Sequence, residues 1–312
     1  MDVYNLTAFT DFILIGISDL PKVRYLLFIA LTAIYQITLL GNCAILLAIA
    51  TEKKLHTPMY YFLANLSLLD ISYPSITVPK ILNNFLTNKQ NISFVGCALQ
   101  LFFLVALAGT EVFLLSVMAY DRYVAICFPL HYTLIMTKKL CVQLTTGTWT
   151  FGFLHSLLHT VITFRLSFCK SNRVHQYYCD IPPLVALSCS STYVSEILAL
   201  VLGGISGIST FIITGISYFY IISTILKIQS VDGKRKAFST CASHLLVVGL
   251  FYGTALFNYV RPSSYHSRAK DRFISMLNVV ITPMLNPIIY SLRNTEVKGG
   301  LKKILCINLK HV

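Results

Sequence analysis

The sequence predicts an all-α membrane protein, a bundle of seven transmembrane helices followed by a short amphipathic C-terminal helix. Of its 312 residues, 55% are hydrophobic and only 12% are charged, whereas charged residues make up about 25% of soluble domains. Seven apolar stretches reach the roughly 20 residues that a bilayer-spanning helix needs. Lys and Arg concentrate in alternate loops. No repeat or linker divides the chain, so we expect one domain over residues 1–312.

Each span is predicted from its apolar run, although the second and third contain the charged residues Asp70, Asp121 and Arg122. The predicted spans are Tyr25–Ala50, Pro58–Leu82, Cys97–Ile126, Leu140–Phe164, Val194–Leu226, Ala237–Val260 and Phe273–Leu292. Residues 1–24 are expected outside the membrane, 25–292 in the bundle and 293–312 in the inner tail. In that tail, Val297, Leu301 and Ile304 share a helical face that favours binding to the inner leaflet.

The loop charges predict that the N terminus lies outside the cell. This orientation places 14 Lys and Arg residues against four acids inside, and 11 against eight elsewhere, in agreement with the positive-inside rule. The glycosylation sequons at Asn5 and Asn91 then fall outside. A third sequon at Asn65 falls within a span and should be unused. No cleavable signal peptide is recognisable, so the first span is expected to direct insertion.

The net charge of +13 does not indicate nucleic-acid binding, because the charges lie between apolar runs rather than on one basic face. Four cysteines fall on the outer side, where disulfides persist: Cys97, Cys169, Cys179 and Cys189. A buried free thiol remains the alternative for each of them.

Ionisable side chains inside a bilayer are costly and usually functional. Asp70 and Glu111 lie at similar depth in the second and third spans, close in depth to Asn42 and Asn286. These oxygen-bearing groups predict a site for a hydrated cation, for which sodium is the expected ion. The alternative is that one carboxyl is protonated and simply hydrogen-bonded.

The third span ends in Asp121-Arg122-Tyr123 at the inner surface. One interpretation is an ion pair that anchors the helix at the interface. The other is a switch, in which the arginine is held by its neighbour until a rearrangement frees it. In the seventh span, Asn286-Pro287, followed by Tyr290, permits a helix kink because proline removes one backbone donor.

Together these residues resemble a rhodopsin-like G-protein-coupled receptor, and more narrowly a vertebrate olfactory receptor. The general motifs are Gly41-Asn42, Asp70, Cys97, Asp121-Arg122-Tyr123, Trp149 and Asn286-Pro287 with Tyr290. The narrower motifs are Leu55–Leu63 (LHTPMYYFL), Met118–Cys127 (MAYDRYVAIC), Ser217-Tyr218, Lys236–Leu245 (KAFSTCASHL) and Pro283–Asn294 (PMLNPIIYSLRN). The resemblance extends over nearly the whole chain.

The resemblance implies disulfides Cys97–Cys179 and Cys169–Cys189, and a sodium site at Asp70 and Glu111. It also implies an activation set of Arg122, Tyr218 and Tyr290, which rearranges when the sixth helix moves outward. The implied partners are a small-molecule odorant and a stimulatory, olfactory-type G protein that raises cyclic AMP. A plasma-membrane location follows, and trafficking accessory proteins are a further implied partner.

The sixth span departs from the pattern of the broader rhodopsin-like superfamily. No acid occurs between Lys234 and Val260, so Arg122 has no carboxylate partner there. Asp121 and hydroxyls such as Ser239 or Thr240 are expected to hold the resting state. A shallow off-state with basal signalling is therefore predicted.

The expected ligand pocket lies in the outer half of the bundle. Amine receptors have an acid at the position of Leu104, and opsins have a lysine at the position of Val280, so neither ligand class is expected. Helical spacing predicts a lining of Leu104, Val105, Ala108, Leu202, Ser206, Tyr252, Ala255, Tyr259, Met276 and Val279. Ordinary helix packing is the alternative for each. The set favours a small, neutral, apolar ligand. Arg261 at the rim leaves a carboxylic acid as an alternative ligand.

Other protein classes have less support. A channel or transporter would need a polar stripe or repeats, which the sequence lacks. An enzyme would need a nucleophile–base pair or a metal cluster. His155 and His159 lie four residues apart in the fourth span, but without acidic or cysteine neighbours they are expected to be packed or hydrogen-bonded.

Overall fold

A computed structural model describes residues 10–16, 21–87, 89–259, 268–293 and 297–300. The described part of the chain contains seven long helical segments. They are α1 (Pro21–Thr51), α2 (Pro58–Thr87), α3 (Phe94–Cys127), α5 (Lys138–Phe164), α7–α8 (Tyr193–Leu198 and Gly204–Lys227), α9 (Val231–Tyr259) and α10–α11 (Arg268–Met276 and Thr282–Arg293). Two short helices, α4 (Tyr132–Ile135) and α6 (Ile181–Val185), lie in loops.

Every predicted span corresponds to one of these segments, and most of the ends extend beyond the apolar runs. The largest difference is at α9, which begins at Val231 rather than Ala237, because a helix continues past the membrane wherever polar residues still favour it. The fifth and seventh segments each contain one π-helical insertion, at Ala199–Gly203 and Leu277–Ile281. Ser93 and Thr137 cap α3 and α5, since each side chain accepts a hydrogen bond from the first turn.

Four of the described segments are long and apolar enough by composition to cross a membrane: Lys22–Thr51, Phe94–Cys127, Tyr193–Lys227 and Arg272–Tyr290. The other three, α2, α5 and α9, are equally long but contain more polar residues. In α2 these include Asp70 and Lys80, and in the first turns of α9 they include Lys234 and Arg235. Polar side chains in a spanning helix are expected to face the bundle interior, and Asp70 is 2% exposed.

A small sheet at one end of the bundle was not predicted. The strand β1 (Asp11–Leu14) lies between β2 (Asn91–Ser93), with which it pairs antiparallel, and β3 (Arg173–Val174), with which it pairs in parallel. Alternate residues of β1, Phe12 and Leu14, are almost fully buried, as the two-residue period of a strand requires. The segment Asp11–Leu14 is therefore part of the fold, and it joins the loop after α2 to the loop after α5.

The third segment, α3, lies at the centre of the bundle, and its closest approach is to α5. A Cβ atom on Gly152 would clash with Thr110 Oγ1 and would lie 2.6 Å from the carbonyl oxygen of Ala106. No side chain fits at this distance, so glycine permits the contact between the two backbones. Gly147, on the same helix, has open space around its Cα.

We expect Gly152→Ala to lower the free energy of unfolding by about 1–3 kcal/mol, because overpacking forces α3 and α5 apart. Thermal unfolding of the purified protein in detergent measures this change. Gly147→Ala is the matched control, and it should be neutral or slightly stabilising, since alanine favours the helix. Equal effects of the two substitutions would contradict the close approach.

Candidate functional site

A buried polar core occupies the middle of the bundle. Asn286 Nδ2 donates to both carboxylate oxygens of Asp70, at 2.9 and 3.1 Å. Asn42 Nδ2 donates to the carbonyl oxygens of Thr38 and Pro283, at 3.0 and 3.2 Å, which joins the first and seventh segments. Glu111 is 8% exposed and lies close enough to Asp70 for the two carboxyl groups to repel each other when both are ionised.

Several oxygens in this core have no hydrogen-bond partner among the described residues. They are Asn42 Oδ1, Asn286 Oδ1 and Tyr290 Oη. Buried polar atoms normally have partners. Two amide oxygens beside two carboxyl groups form the all-oxygen donor set that a hard cation prefers, so these residues fit the sodium ion that the sequence predicts.

The inner end of the bundle holds the charged pair of the third segment. Arg122 Nε donates to Asp121 Oδ2 at 2.9 Å, and its Nη2 makes a second, close contact with the same oxygen. The hydroxyl of Tyr132, in α4, donates to Asp121 Oδ1 at 2.7 Å. Burial, and then the charge of Asp121, raise the pKa of Tyr132, so its phenol stays protonated and continues to donate.

Asp121 is thus held from two sides, and this geometry is compatible with both interpretations of the pair, the interfacial anchor and the switch. The side chains of Ser239 and Thr240, the other expected partners, lie outside the described residues. Tyr123 contributes differently: its ring contacts Phe128 and Tyr220, at centroid distances of 5.6 and 5.8 Å.

A hydrogen bond connects the inner halves of the fifth and sixth segments. Tyr218 Oη lies 2.6 Å from His244 Nδ1, and the two rings are stacked. Both side chains are buried. Tyr218 belongs to the activation set that the resemblance implies. His244, on the inner half of the sixth span, could tune activation through its protonation, but from its position alone it is expected to be structural.

Pro287, which lies inside α11, packs against α1. A Cβ atom on Gly41 would lie 3.1 Å from Pro287 Cγ, so glycine allows the first and seventh segments to approach at the level of the polar core. Tyr290 is 1% exposed and lies one helical turn further in.

At the other end of the bundle the structure contains both disulfides that the resemblance implied. The Cα atoms of Cys97 and Cys179 are 5.5 Å apart, and those of Cys169 and Cys189 are 5.8 Å apart. Gln100 adds a second tie, because its side chain accepts a hydrogen bond from Cys179 N and donates to the carbonyl oxygen of Ile76. Asn91 is exposed in β2, whereas Asn5 lies outside the described residues.

The predicted pocket residues are only partly brought together. Leu104 and Val279 are buried in one cluster with Tyr177 and Tyr178 of the second outer loop, and Met276 packs against it. The other predicted residues whose side chains the structure describes lie apart from this cluster. Val105 packs beside the Cys97–Cys179 disulfide, Tyr252 belongs to the main core, and Ala108, Leu202 and Ser206 are half-buried.

Two predicted lining side chains, Ala255 and Tyr259, and the rim residue Arg261 lie outside the described residues. Ser206 Oγ donates to carbonyl oxygens of its own helix, which is the usual behaviour of serine in a spanning helix. The second outer loop was missed as a source of lining residues, because loop residues have no periodicity from which a facing direction follows.

The histidine pair of α5 is packed, as expected. The rings of His155 and His159 lie 4.5 Å apart, and His155 stacks on Phe151. The hydrogen-bonded alternative is not seen for His155, since neither ring nitrogen has a partner among the described residues. The described part of the chain contains no group of three or more His, Cys, Asp or Glu side chains arranged to hold a metal.

Comparison with known proteins identifies the family. The sequence model for olfactory receptors matches residues 31–308. The chain is 49% identical over 311 residues to olfactory receptor 1G1 of Gorilla gorilla gorilla, covering 100% of this chain and 99% of that protein. It is 48% identical to olfactory receptor 5B12 of Homo sapiens, over 96% of this chain and 95% of that protein, and 48% identical to olfactory receptor 8U9 of Mus musculus, over 96% of each.

A helical bundle with a buried Asp70–Asn286 pair and an inner Asp121–Arg122 pair has the architecture of a rhodopsin-like G-protein-coupled receptor. The chain belongs to the olfactory receptor family. It is therefore an odorant receptor, a multi-pass plasma-membrane protein that couples odorant binding to a G protein, and it is not an enzyme.

We expect Tyr132→Phe to raise basal receptor signalling, because Asp121 would lose one of the two contacts that hold it in place. Loss of about 1–2 kcal/mol from the resting state raises a small active fraction roughly five- to thirtyfold. Ligand-free signalling, normalised to surface expression, measures the effect. Tyr120→Phe is the control, since Tyr120 is partly exposed and has no assigned hydrogen bond in the described structure. An unchanged basal signal would show that the Tyr132 hydroxyl does not stabilise the resting state.

Proposed function

We propose that this odorant receptor binds a small, mostly apolar, neutral volatile compound and activates a stimulatory, olfactory-type G protein that raises cyclic AMP. The observation that carries the proposal is the Asp121–Arg122 pair, which is buried at the inner end and held by one loop tyrosine. A single labile anchor suits an arginine that must be released to a partner protein.

The ligand class follows from the cluster beneath the second outer loop. Leu104, Met276 and Val279 supply an apolar surface, and the tyrosines at 177 and 178 close it from outside. Leu104 stands where an acid would be needed to bind a cationic amine. An odorant with one hydrogen-bonding group is therefore favoured, because buried apolar area supplies most of its affinity.

Activation is proposed to proceed by outward movement of the inner end of α9. Tyr218 Oη joins α8 to α9 there, through His244 Nδ1 at 2.6 Å and the carbonyl oxygen of Cys241 at 3.5 Å, so these contacts must change when α9 moves. Arg122 would then leave Asp121 and contact the G protein. Beyond Asp232 in its first turn, α9 has no acid that could oppose this release, since none lies between Lys234 and Val260.

The N terminus is proposed to lie outside the cell. Supporting this orientation, the disulfides and the sheet containing β1 occupy the same end of the bundle, and disulfides form in oxidising compartments. The opposite end contains Arg122 and α4. In this orientation 14 of the 25 Lys and Arg residues lie on its side of the membrane. Transport to the surface with the help of accessory proteins is part of the same proposal.

A sodium ion is proposed to occupy the polar core in the resting state. Asp70, Glu111 and the orphan oxygens of Asn42 and Asn286 would hold it, and its charge would offset the repulsion between the carboxyl groups. The ion would tie the second, third, first and seventh segments together, so activation would require its loss or displacement.

The coupling is tested by measuring cyclic AMP in cells that express the wild type or Arg122→Ala, across a panel of neutral volatile compounds. A ligand response is expected in the wild type and should fall to the level of cells without receptor in the variant. Lys138→Ala, which removes an exposed inner charge, is the control and should respond normally. A full response from Arg122→Ala at equal surface staining would refute the proposed switch.

The sodium proposal is tested on purified receptor in detergent, with sodium compared with N-methylglucamine at equal chloride concentration. Sodium should raise the thermal unfolding midpoint by a few degrees, as expected for about 1 kcal/mol of linked binding. Asp70→Asn should abolish the sodium-dependent part while leaving the receptor folded. The same sodium response in this variant would place the ion elsewhere.

A further inference from the structure

The two disulfides at the outer end differ in how far solvent reaches them. Cys97 and Cys179 are both 0% exposed and lie in one apolar cluster. Cys169 and Cys189, by contrast, are both exposed. Reduction of a disulfide requires a thiolate to reach one of its sulfur atoms, and exposed disulfides are the labile ones. The exposed bridge is therefore open to reaction, whereas the buried bridge is protected.

The surroundings of the exposed bridge are positively charged. Residues 165–179 contain three Lys or Arg residues and no Asp or Glu. One of the three, Lys170, is exposed and directly follows Cys169. Its Nζ donates to the carbonyl oxygen of Ala186 at 3.5 Å, so the ammonium group lies beside the segment that leads to Cys189. A neighbouring cation stabilises a thiolate, which favours both the attacking and the leaving sulfur of an exchange reaction.

Backbone contacts hold the two sides of this bridge together independently of the sulfur atoms. Cys189 N donates to the carbonyl oxygen of Ser167 at 2.9 Å, and Ser167 N donates to Ser190 Oγ at 3.1 Å. Phe168 and Ser188 form an antiparallel β-bridge between the same two segments. These contacts keep the two thiols near each other after the sulfur–sulfur bond opens, so the bridge can form again.

We propose that the Cys169–Cys189 disulfide is a reversible exchange site for small extracellular thiols such as glutathione, whereas Cys97–Cys179 is a purely structural bridge. The small thiolate bonds to one exposed cysteine sulfur, the bond between Cys169 and Cys189 breaks, and the other cysteine leaves as a thiolate. A second small thiol attacks the mixed disulfide and releases the first cysteine. The protein bridge gains two electrons and the two small thiols lose two, and each leaving thiolate takes up the proton that an attacking thiol gave up. Without a thiol both bridges stay closed.

Reduction would release one of two restraints on the second outer loop. The exposed bridge joins residues 20 apart and encloses α6 together with Tyr177 and Tyr178 of the pocket cluster. The buried disulfide at Cys179 keeps the centre of this loop on α3, whereas α6 and the entry to α7 gain conformational freedom. Because ordering a loose cover costs binding free energy, we expect the reduced receptor to respond to its odorant with lower potency. This consequence rests on the proposed function.

The test uses the purified full-length receptor in detergent, incubated with graded concentrations of reduced glutathione. Free thiols are trapped with iodoacetamide, and the protein is then denatured, fully reduced and labelled with an isotopically heavy reagent. Mass spectrometry of the cysteine peptides gives the reduced fraction of each bridge, so the buried bridge is the control within the same sample.

Cys169 and Cys189 should become reduced at a glutathione concentration about tenfold or more below the one that opens the buried bridge. A glutathione adduct on either of them is the expected intermediate, and oxidised glutathione should restore the bridge. If the exposed bridge resists reduction until the buried bridge also opens, the proposal is overturned. The labelling needs neither an odorant nor a G protein, so its failure is independent of the proposed function.

The double variant Cys169→Ser/Cys189→Ser imitates the reduced bridge with side chains of similar size. Its thermal unfolding midpoint should lie a few degrees below that of the wild type. In the cyclic AMP panel, glutathione should lower the potency of an active compound on the wild type but not on this variant. An equal glutathione effect on both would refute the link between this bridge and the pocket. Silence of the whole panel would count against the proposed function, and if the variant does not fold, the labelling of the wild type still decides the exchange site.

Discussion

The fold depends on one constraint, that polar groups within the bundle must find partners inside the protein because lipid tails offer none. The central helix α3 concentrates these groups along its length. Gln100 binds the second outer loop, Glu111 lies in the polar core, and Asp121 holds Arg122. One helix therefore supplies a polar group near one end, in the middle and near the other end of the bundle.

The two ends of the bundle are built differently, in keeping with their tasks. The outer end is held by two disulfides, the β1 sheet and the buried side chain of Phe12. The inner end is held by single hydrogen bonds, such as that from Tyr132 to Asp121 and that between Tyr218 and His244. A receptor needs a constant site for its ligand and a surface that rearranges for its partner, and bonds of about 1 kcal/mol can be exchanged where disulfides cannot.

The sequence predicted the helices because hydrophobic length is a direct requirement of the bilayer. It also predicted the depth of Asp70 and Asn286, since position along a spanning helix converts directly into depth. It could not predict β1, because Asp11–Leu14 is too short for periodicity to distinguish it from a loop. Tyr132 and Tyr177 were missed for the same reason: their roles depend on how loops fold back onto the bundle, which local pattern does not encode.

Beyond Asp232 in its first turn, α9 contains no acid, and this affects the energetics of the switch. An arginine held by a carboxylate on another helix would resist separation of the two helices, whereas Asp121 and Arg122 are neighbours on α3 and move together. Their ion pair therefore restrains the arginine side chain without restraining α9. The restraint on α9 then rests on packing and on the Tyr218–His244 bond. A bond between neutral groups contributes only about 0.5–1.5 kcal/mol, so the hydrogen bond itself adds little to the differential binding energy that a ligand must supply to move α9.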